Sequence, residues 1–260
     1  MPKTKLINKI RSMKGKELIS MVTAYDAIFS ELACIAGIDL ILVGDSVANV
    51  MLGYRNTKSI SMDEMLHHVK AVTRAKPSVP VVADMPKGSY SNSLKALKNA
   101  KKFLKEKADA VKVEGVNKKA ISALRNEGIE VMGHIGLLPQ TALKYKVKGK
   151  KPREAKKLIN EALLLDSMNC FSIVMECVPS SLAEEITSLV SCPTIGIGAG
   201  IKCDGQVLVV NDLIGLHAQS FKPKFVKQYC DVSTEIIHAL NQFNLEVKER
   251  KFPGKENSYE

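Results

Sequence analysis

The chain reads as a single eight-stranded α/β barrel, and three observations predict it. Short β-branched runs alternate with amphipathic helical stretches along all 260 residues, the pattern of a parallel sheet covered by helices. Eight such runs can be counted. Four of them give out at a carboxylate: Asp45 after LILVG, Asp84 after VPVVA, Glu114 closing VKVE and Glu176 closing SIVME. In a (β/α)8 TIM barrel the C-terminal ends of all strands share one rim, the rim where such barrels do their chemistry. Four acids gathered there repel one another, and a hard divalent metal with oxygen ligands offsets that repulsion. A doubly wound open sheet would give the same local pattern and differ only in closure.

Taken in order, the strands are expected at 18–23, 39–43, 79–83, 110–114, 129–133, 171–176, 193–197 and 207–210. Helices are expected near 26–36, 62–75, 92–106, 117–126, 152–168, 179–189 and 224–242. Asp26, Ser61, Asn92 and Pro152 stand where caps or first turns belong. Basic and apolar residues alternate through MPKTKLINKIRSMKGK, which predicts a leading N-terminal amphipathic helix. No linker rich in Gly, Pro or Ser divides the chain, so one catalytic domain, 1–260, is expected. Two segments fit the alternation poorly. Residues 136–151 form a long Lys-rich connection that a barrel would carry on its rim, and 243–260 is expected to be an extended C-terminal arm.

Composition narrows the function classes. A 45% hydrophobic chain without Trp can fill a sizeable aliphatic core. Its apolar runs fall far short of the roughly 20 residues that span a bilayer, and the N-terminal segment lacks the apolar stretch of a secretory signal, so a soluble cytoplasmic protein is expected. The cysteines at 34, 170, 177, 192, 203 and 230 form no CxxC or CxxH pair, which suits reduced thiols. The net charge of +11 invites a nucleic-acid hypothesis, but only six of the 38 basic residues are Arg. Dispersed lysines without interleaved aromatics read as a solvated surface, and neither a nucleic acid nor a membrane is expected as partner.

Several short motifs could carry chemistry. Gly44 lets the backbone turn sharply so that Asp45 stays over the barrel mouth; the alternative is a turn with Asp45 as a helix cap. Asp84 in ADMP repeats the geometry one strand later, and two adjoining carboxylates raise each other's pKa unless a cation joins them. In VKVEG, Lys112 and Glu114 share one strand face and Val111 and Val113 the other. Lys112 is therefore either paired structurally with Asp84 or Glu114, or held to receive an anionic substrate. Glu176, at an apolar strand end, could be a general base with a pKa raised by desolvation, or a cap for the next helix. His134, placed directly after the fifth strand, could bond a substrate oxygen or be structural. GIGAG (196–200) would suit a phosphate-binding turn but lacks the GxGxxG spacing.

Together, TAYD (23–26), LVGDS (42–46), ADMP (83–86), VKVEG (111–115), GHIGLLPQ (133–140), ECVP (176–179), IGIGAG (195–200), PKFVKQY (223–229) and the terminal FPGKENSY resemble the ketopantoate hydroxymethyltransferase family, in order and with similar spacing. The chain departs from that pattern at KGSY (87–90) and YKVKGK (145–150). The resemblance implies a (β/α)8 barrel that uses Mg2+ and 5,10-methylenetetrahydrofolate to add a hydroxymethyl group to 3-methyl-2-oxobutanoate. It implies Asp45 and Asp84 as metal ligands in contact with substrate, Glu114 joining the metal directly or through water, Ser46 and Lys112 on the keto-acid carboxylate, and Glu176 as proton acceptor. It also implies a homo-oligomer, commonly a decamer. A Mg-dependent keto-acid lyase of the phosphoenolpyruvate/pyruvate barrel superfamily would share the aspartates without needing folate. A barrel that only binds small acids, or a basic RNA-binding protein, would not need Asp45, Asp84, Lys112 and Glu176 together. On this reading Asp84→Ala loses metal-dependent substrate binding and leaves the fold intact, or slightly more stable without metal.

Overall fold

Strand side chains alternate, so a closed parallel sheet buries one set inside the barrel and the other beneath its helices. The computed structural model describes residues 3–216 and 223–259. In chain order it contains α1 (Lys3–Ser12), β1 (Ile19–Thr23), α2 (Ala27–Ile35), β2 (Leu40–Val43), α3 (Val47–Val50), α4 (Met62–Arg74), β3 (Val81–Asp84), α5 (Ser93–Lys105) and β4 (Ala110–Glu114). There follow α6 (Lys118–Asn126), β5 (Glu130–Gly136), α7 (Pro152–Ser167), β6 (Ser172–Glu176), α8 (Ser180–Leu189), β7 (Thr194–Ile197), β8 (Gly205–Leu208), α9 (Val210–Ile214) and α10 (Val232–Lys248). The eight strands close in sequence order, every pair parallel. The fold is a (β/α)8 barrel.

The predicted caps form. Asp26 accepts from the Phe29 amide at 2.8 Å, Asn92 from Lys95 at 2.9 Å, and Ser61 and Glu64 make a reciprocal capping box, each satisfying helix amides that have no intrahelical partner. Pro152 opens α7, where its missing N–H costs nothing.

The floor of the barrel is apolar. Met21, Leu42, Val82, Ala110, Met132, Val174, Ile195 and Val207 form one buried cluster with Ile7, Ile10 and Met13. The leading helix therefore plugs the bottom of the barrel, its apolar stripe inward as the sequence pattern requires. Arg11 Nη2 fixes it to Glu130 at 2.7 Å and Lys14 Nζ to Asp204 at 2.8 Å.

Three boundaries differ from expectation. The fifth strand runs on to Gly136, so His134 lies within it, in register with Glu114. The eighth begins at Gly205, ahead of the apolar VLVV run. A Cβ there would stand 2.4 Å from the Ile19 carbonyl oxygen, so glycine is what lets the last strand close on the first. The helix expected from 224 starts at Val232, where Asp231 is its N-cap, after a non-helical stretch in which the Tyr229 amide bonds to Leu213 O at 2.8 Å. It continues to Lys248, and Phe243 packs edge-on against Phe252 at 5.5 Å, so residues 243–252 are not an extended arm.

The chain forms two compact units, 1–209 with all eight strands and 210–260 with α9 and α10. All six cysteines are free. Among the described residues no helix is long and apolar enough to cross a membrane.

Candidate active site

Above the apolar floor the inward positions turn polar. Asp84 ends β3, Lys112 and Glu114 lie on β4, His134 on β5 and Glu176 ends β6, while Asp45 and Ser46 follow β2. Asp45, Asp84, Lys112, Glu114 and His134 are all buried. Val111 and Val113 are buried on the opposite face of β4, so the alternation in VKVEG works as its spacing predicts.

Register brings Asp84 beside Lys112, and Lys112 Nζ donates to Asp84 Oδ2 at 2.7 Å. The Asp45 amide reaches the same oxygen at 3.3 Å. Asp84 Oδ1 is buried without a hydrogen-bond partner. Neither aspartate caps a helix; Ser46 holds the N-cap position of α3, and its hydroxyl pairs with Tyr25 Oη at 2.8 Å. Glu176 is not a cap either, since Pro179 precedes α8. Directly after Glu176 the chain turns through Cys177 at φ 51°, a left-handed conformation unfavourable for a side chain bearing Cβ.

Glu176 Oε2 lies 3.3 Å from His134 Nε2, and His134 Nδ1 lies 3.8 Å from Glu114 Oε1. Burial first, then the nearby Lys112 charge, pushes the His134 pKa well below its ordinary value. A neutral His134 gives Glu176 no cation to hold it ionised, and burial raises the Glu176 carboxyl to about 7. Asp45 is also raised to about 7, by burial and then by Asp84. Glu114 is raised to about 9, chiefly by burial. Burial alone would lower Lys112, but Asp84, Asp45 and Glu114 outweigh it and keep the amine charged. The cluster is one cation among four carboxyl groups, two of them poised near neutrality.

Sequence reasoning overlooked Gln140. Its Nε2 donates to Asp45 Oδ2 at 2.9 Å and to Met85 O at 3.0 Å, its backbone amide donates to Glu114 Oε2 at 3.1 Å, and its Oε1 accepts from Tyr90 Oη at 2.7 Å. One fully buried residue thus braces three rim segments, two through its side chain and one through its backbone, and the tyrosine fixes which way its amide points. The signal was present in GHIGLLPQ, but a neutral amide does not stand out in a search for titratable groups.

Asp45, the partnerless Asp84 oxygen and Glu114 beyond Gln140 are hard oxygen donors that could hold a metal. Among the described residues no three His, Cys, Asp or Glu side chains converge as a ready coordination shell. Hard oxygen donors of this kind suit a cation that keeps several waters and takes one or two carboxylates, as Mg2+ does. On the same rim, directly after β7, Gly198 and Gly200 of GIGAG have positive φ. Gly200 packs against Ser180, where a Cβ would come within 2.5 Å of that residue's own, so close packing accounts for one of these glycines.

A model of the ketopantoate hydroxymethyltransferase family matches residues 4–255. The chain belongs to that family. It is 48% identical over 260 residues to the 3-methyl-2-oxobutanoate hydroxymethyltransferase of Thermosipho africanus, covering 98% of each chain. It is 51% identical over 253 residues to that of Heliobacterium modesticaldum, covering 95% of this chain and 91% of the relative. Among solved structures it resembles a phosphonopyruvate hydrolase complexed with oxalate and Mg2+, at a TM-score of 0.64 and 11% identity, covering 99% of this chain and 93% of that one. It also resembles 2,3-dimethylmalate lyase, of the PEP mutase/isocitrate lyase superfamily, at 0.61 and 13%, covering 98% and 92%. At that identity the likeness is one of fold.

Proposed function

We propose that this chain, acting as one catalytic domain in the cytoplasm, transfers a hydroxymethyl group from 5,10-methylenetetrahydrofolate to 3-methyl-2-oxobutanoate, giving 2-dehydropantoate for pantothenate synthesis. The observation that carries the reading is the meeting of Asp45, Asp84, Glu114 and Glu176 around Lys112 at one rim, in a chain that matches the family over residues 4–255.

Asp45 and Asp84 are assigned as ligands of Mg2+, with Glu114 completing the site directly or through water. When bound, Mg2+ supplies Lewis acidity toward the keto group of the substrate. Lys112 spends one of its three N–H donors on Asp84 and has two left for the keto-acid carboxylate, to which Ser46, steadied by Tyr25, also donates. Glu176 accepts the C3 proton. The carbon so released attacks the one-carbon unit of the donor, and water completes the hydroxymethyl product and tetrahydrofolate. The test is turnover of 3-methyl-2-oxobutanoate with and without methylenetetrahydrofolate and Mg2+. Product is expected only with both present; C–C cleavage without folate would favour the lyase reading.

Two pH effects follow. Exchange of the substrate C3 hydrogen with deuterated water should rise about tenfold per pH unit below about 7 and level off above it, as Glu176 deprotonates. The groups facing Glu176 are neutral His134 and, at longer range, Lys112 and Asp45. A profile flat from pH 5 to 8 would exclude Glu176 as the titrating base. The second effect is on stability. Asp45 and Glu114 bind protons more tightly folded than unfolded, so their stabilising contribution is full below pH 4 and is lost as pH rises through about 7 and about 9. Protein stripped of metal should therefore melt lower at pH 9 than at pH 5.5, and Mg2+ should recover part of the loss. Calorimetry finding no such slope and no response to Mg2+ would count against the metal assignment.

The chain is expected to work as a homo-oligomer, commonly a decamer. Ile236, Ile237, Leu240, Phe243 and Leu245 of α10 are exposed, and no residue of that helix is buried. This exposed apolar row supports a contact with other chains. Light scattering should give a mass far above 28.5 kDa; a monomer at micromolar concentration would contradict this.

A further inference from the structure

The rim connection 137–151 is sided. Lys144, Lys146 and Lys148 line one cavity, of about 620 Å3, and the intervening Tyr145 and Val147 do not. Three alternate residues of one stretch of chain therefore turn their cations to the same cavity, between the connection and Glu154, Leu158 and Glu161 of α7. Among the described residues none of the three ammonium groups has an ion pair or hydrogen bond. The acids on the far wall are already engaged, Glu154 with the Gly149 amide at 3.3 Å and Glu161 with Lys157 at 3.6 Å. The cavity begins at Gly136, the register neighbour of Glu176, and has Leu138 and Leu158 in its wall. Its volume is that of a small-molecule site.

We infer that this cavity takes the anionic tail of the one-carbon donor, with the glutamate carboxylates of a reduced folate on Lys144, Lys146 and Lys148. The inference rests on the donor assigned above. A donor that serves Glu176 must bring its one-carbon unit to a rim crowded with acids while keeping its own carboxylates out of their repulsive field. A basic cavity behind the same loop meets both demands. A tail carrying further glutamates would engage more of the lysines, through contacts open to solvent and hence sensitive to salt.

The test compares binding of 5-formyltetrahydrofolate bearing one and three glutamates, by titration calorimetry. Wild-type protein is expected to hold the triglutamate roughly fivefold more tightly at low salt, with the difference closing at high salt. The Lys144→Gln/Lys146→Gln/Lys148→Gln variant should bind the two alike. A charge-matched control, Lys95→Gln/Lys98→Gln/Lys119→Gln on α5 and α6, should keep the preference. A triple rim variant that still discriminates, a control that loses discrimination equally, or wild-type protein without any preference overturns the inference and leaves the donor reading standing. Wild-type protein that exchanges the C3 hydrogen of the keto acid yet binds neither folate overturns the donor reading, and this inference with it.

Discussion

Glu176→Gln protein is expected to exchange the C3 hydrogen of 3-methyl-2-oxobutanoate for deuterium about 10²- to 10⁴-fold more slowly than wild type, the usual worth of a general base. Glutamine keeps the shape of the side chain and its place 3.3 Å from His134, but it cannot take the proton. The loss should fall on kcat. Lys112→Ala should fail differently, because the amine meets the substrate carboxylate in both ground and transition states, so KM should rise more than kcat falls. Measuring exchange without folate isolates proton removal from transfer. Wild-type exchange in Glu176→Gln would make another group the base, and His134, buried beside it, would be the next to change.

Asp84→Ala is expected to do more than abolish the response to Mg2+. Lys112 Nζ lies 2.7 Å from Asp84 Oδ2, with side-chain exposures of 6% and 2%. Removing one partner of a buried pair strands the other's charge and costs about 3–5 kcal/mol. Asp45 and Glu114 still attract the amine, so the lower end of that range applies. The sequence-based expectation of a fold left intact, or slightly more stable without metal, is revised accordingly. Urea unfolding in the presence of a chelator should register the destabilisation, and Asp84→Ala/Lys112→Ala should recover part of it. A double variant no more stable than the single one would mean that the pair is not what holds this region, and keto-acid binding that stays Mg2+-dependent in Asp84→Ala would remove the metal assignment.

The structural alternative for Lys112 and the functional one turn out not to compete. The amine is paired with Asp84, yet three donors on one nitrogen leave it free to meet an anion as well. Local spacing could not reveal this, because Asp84 and Lys112 are 28 residues apart and only parallel register makes them neighbours. Gln140 is the sharper case. It is 95 residues from Asp45 in sequence, carries no charge, and owes its importance to being fully buried between two carboxylates.

What the sequence determined by itself is whatever depends on short-range periodicity: eight apolar runs, inward Lys112 and Glu114, the capping residues, an amphipathic N-terminal helix and four acids at strand ends. These follow from period-two and 3.6-residue alternation, which any chain of this pattern must satisfy to bury its apolar faces. The tertiary structure alone decided where the alternation misleads. Gly205, invisible to a search for β-branched runs, starts the last strand because the closing contact with Ile19 has no room for a side chain. His134 became a strand residue because β6 extends β5 by pairing as far as Gly136 with Glu176. The protonation balance of the site was likewise set in three dimensions, since burial and the distances among five charged groups, rather than their order in the chain, fix which carboxyl group can accept a proton near neutral pH.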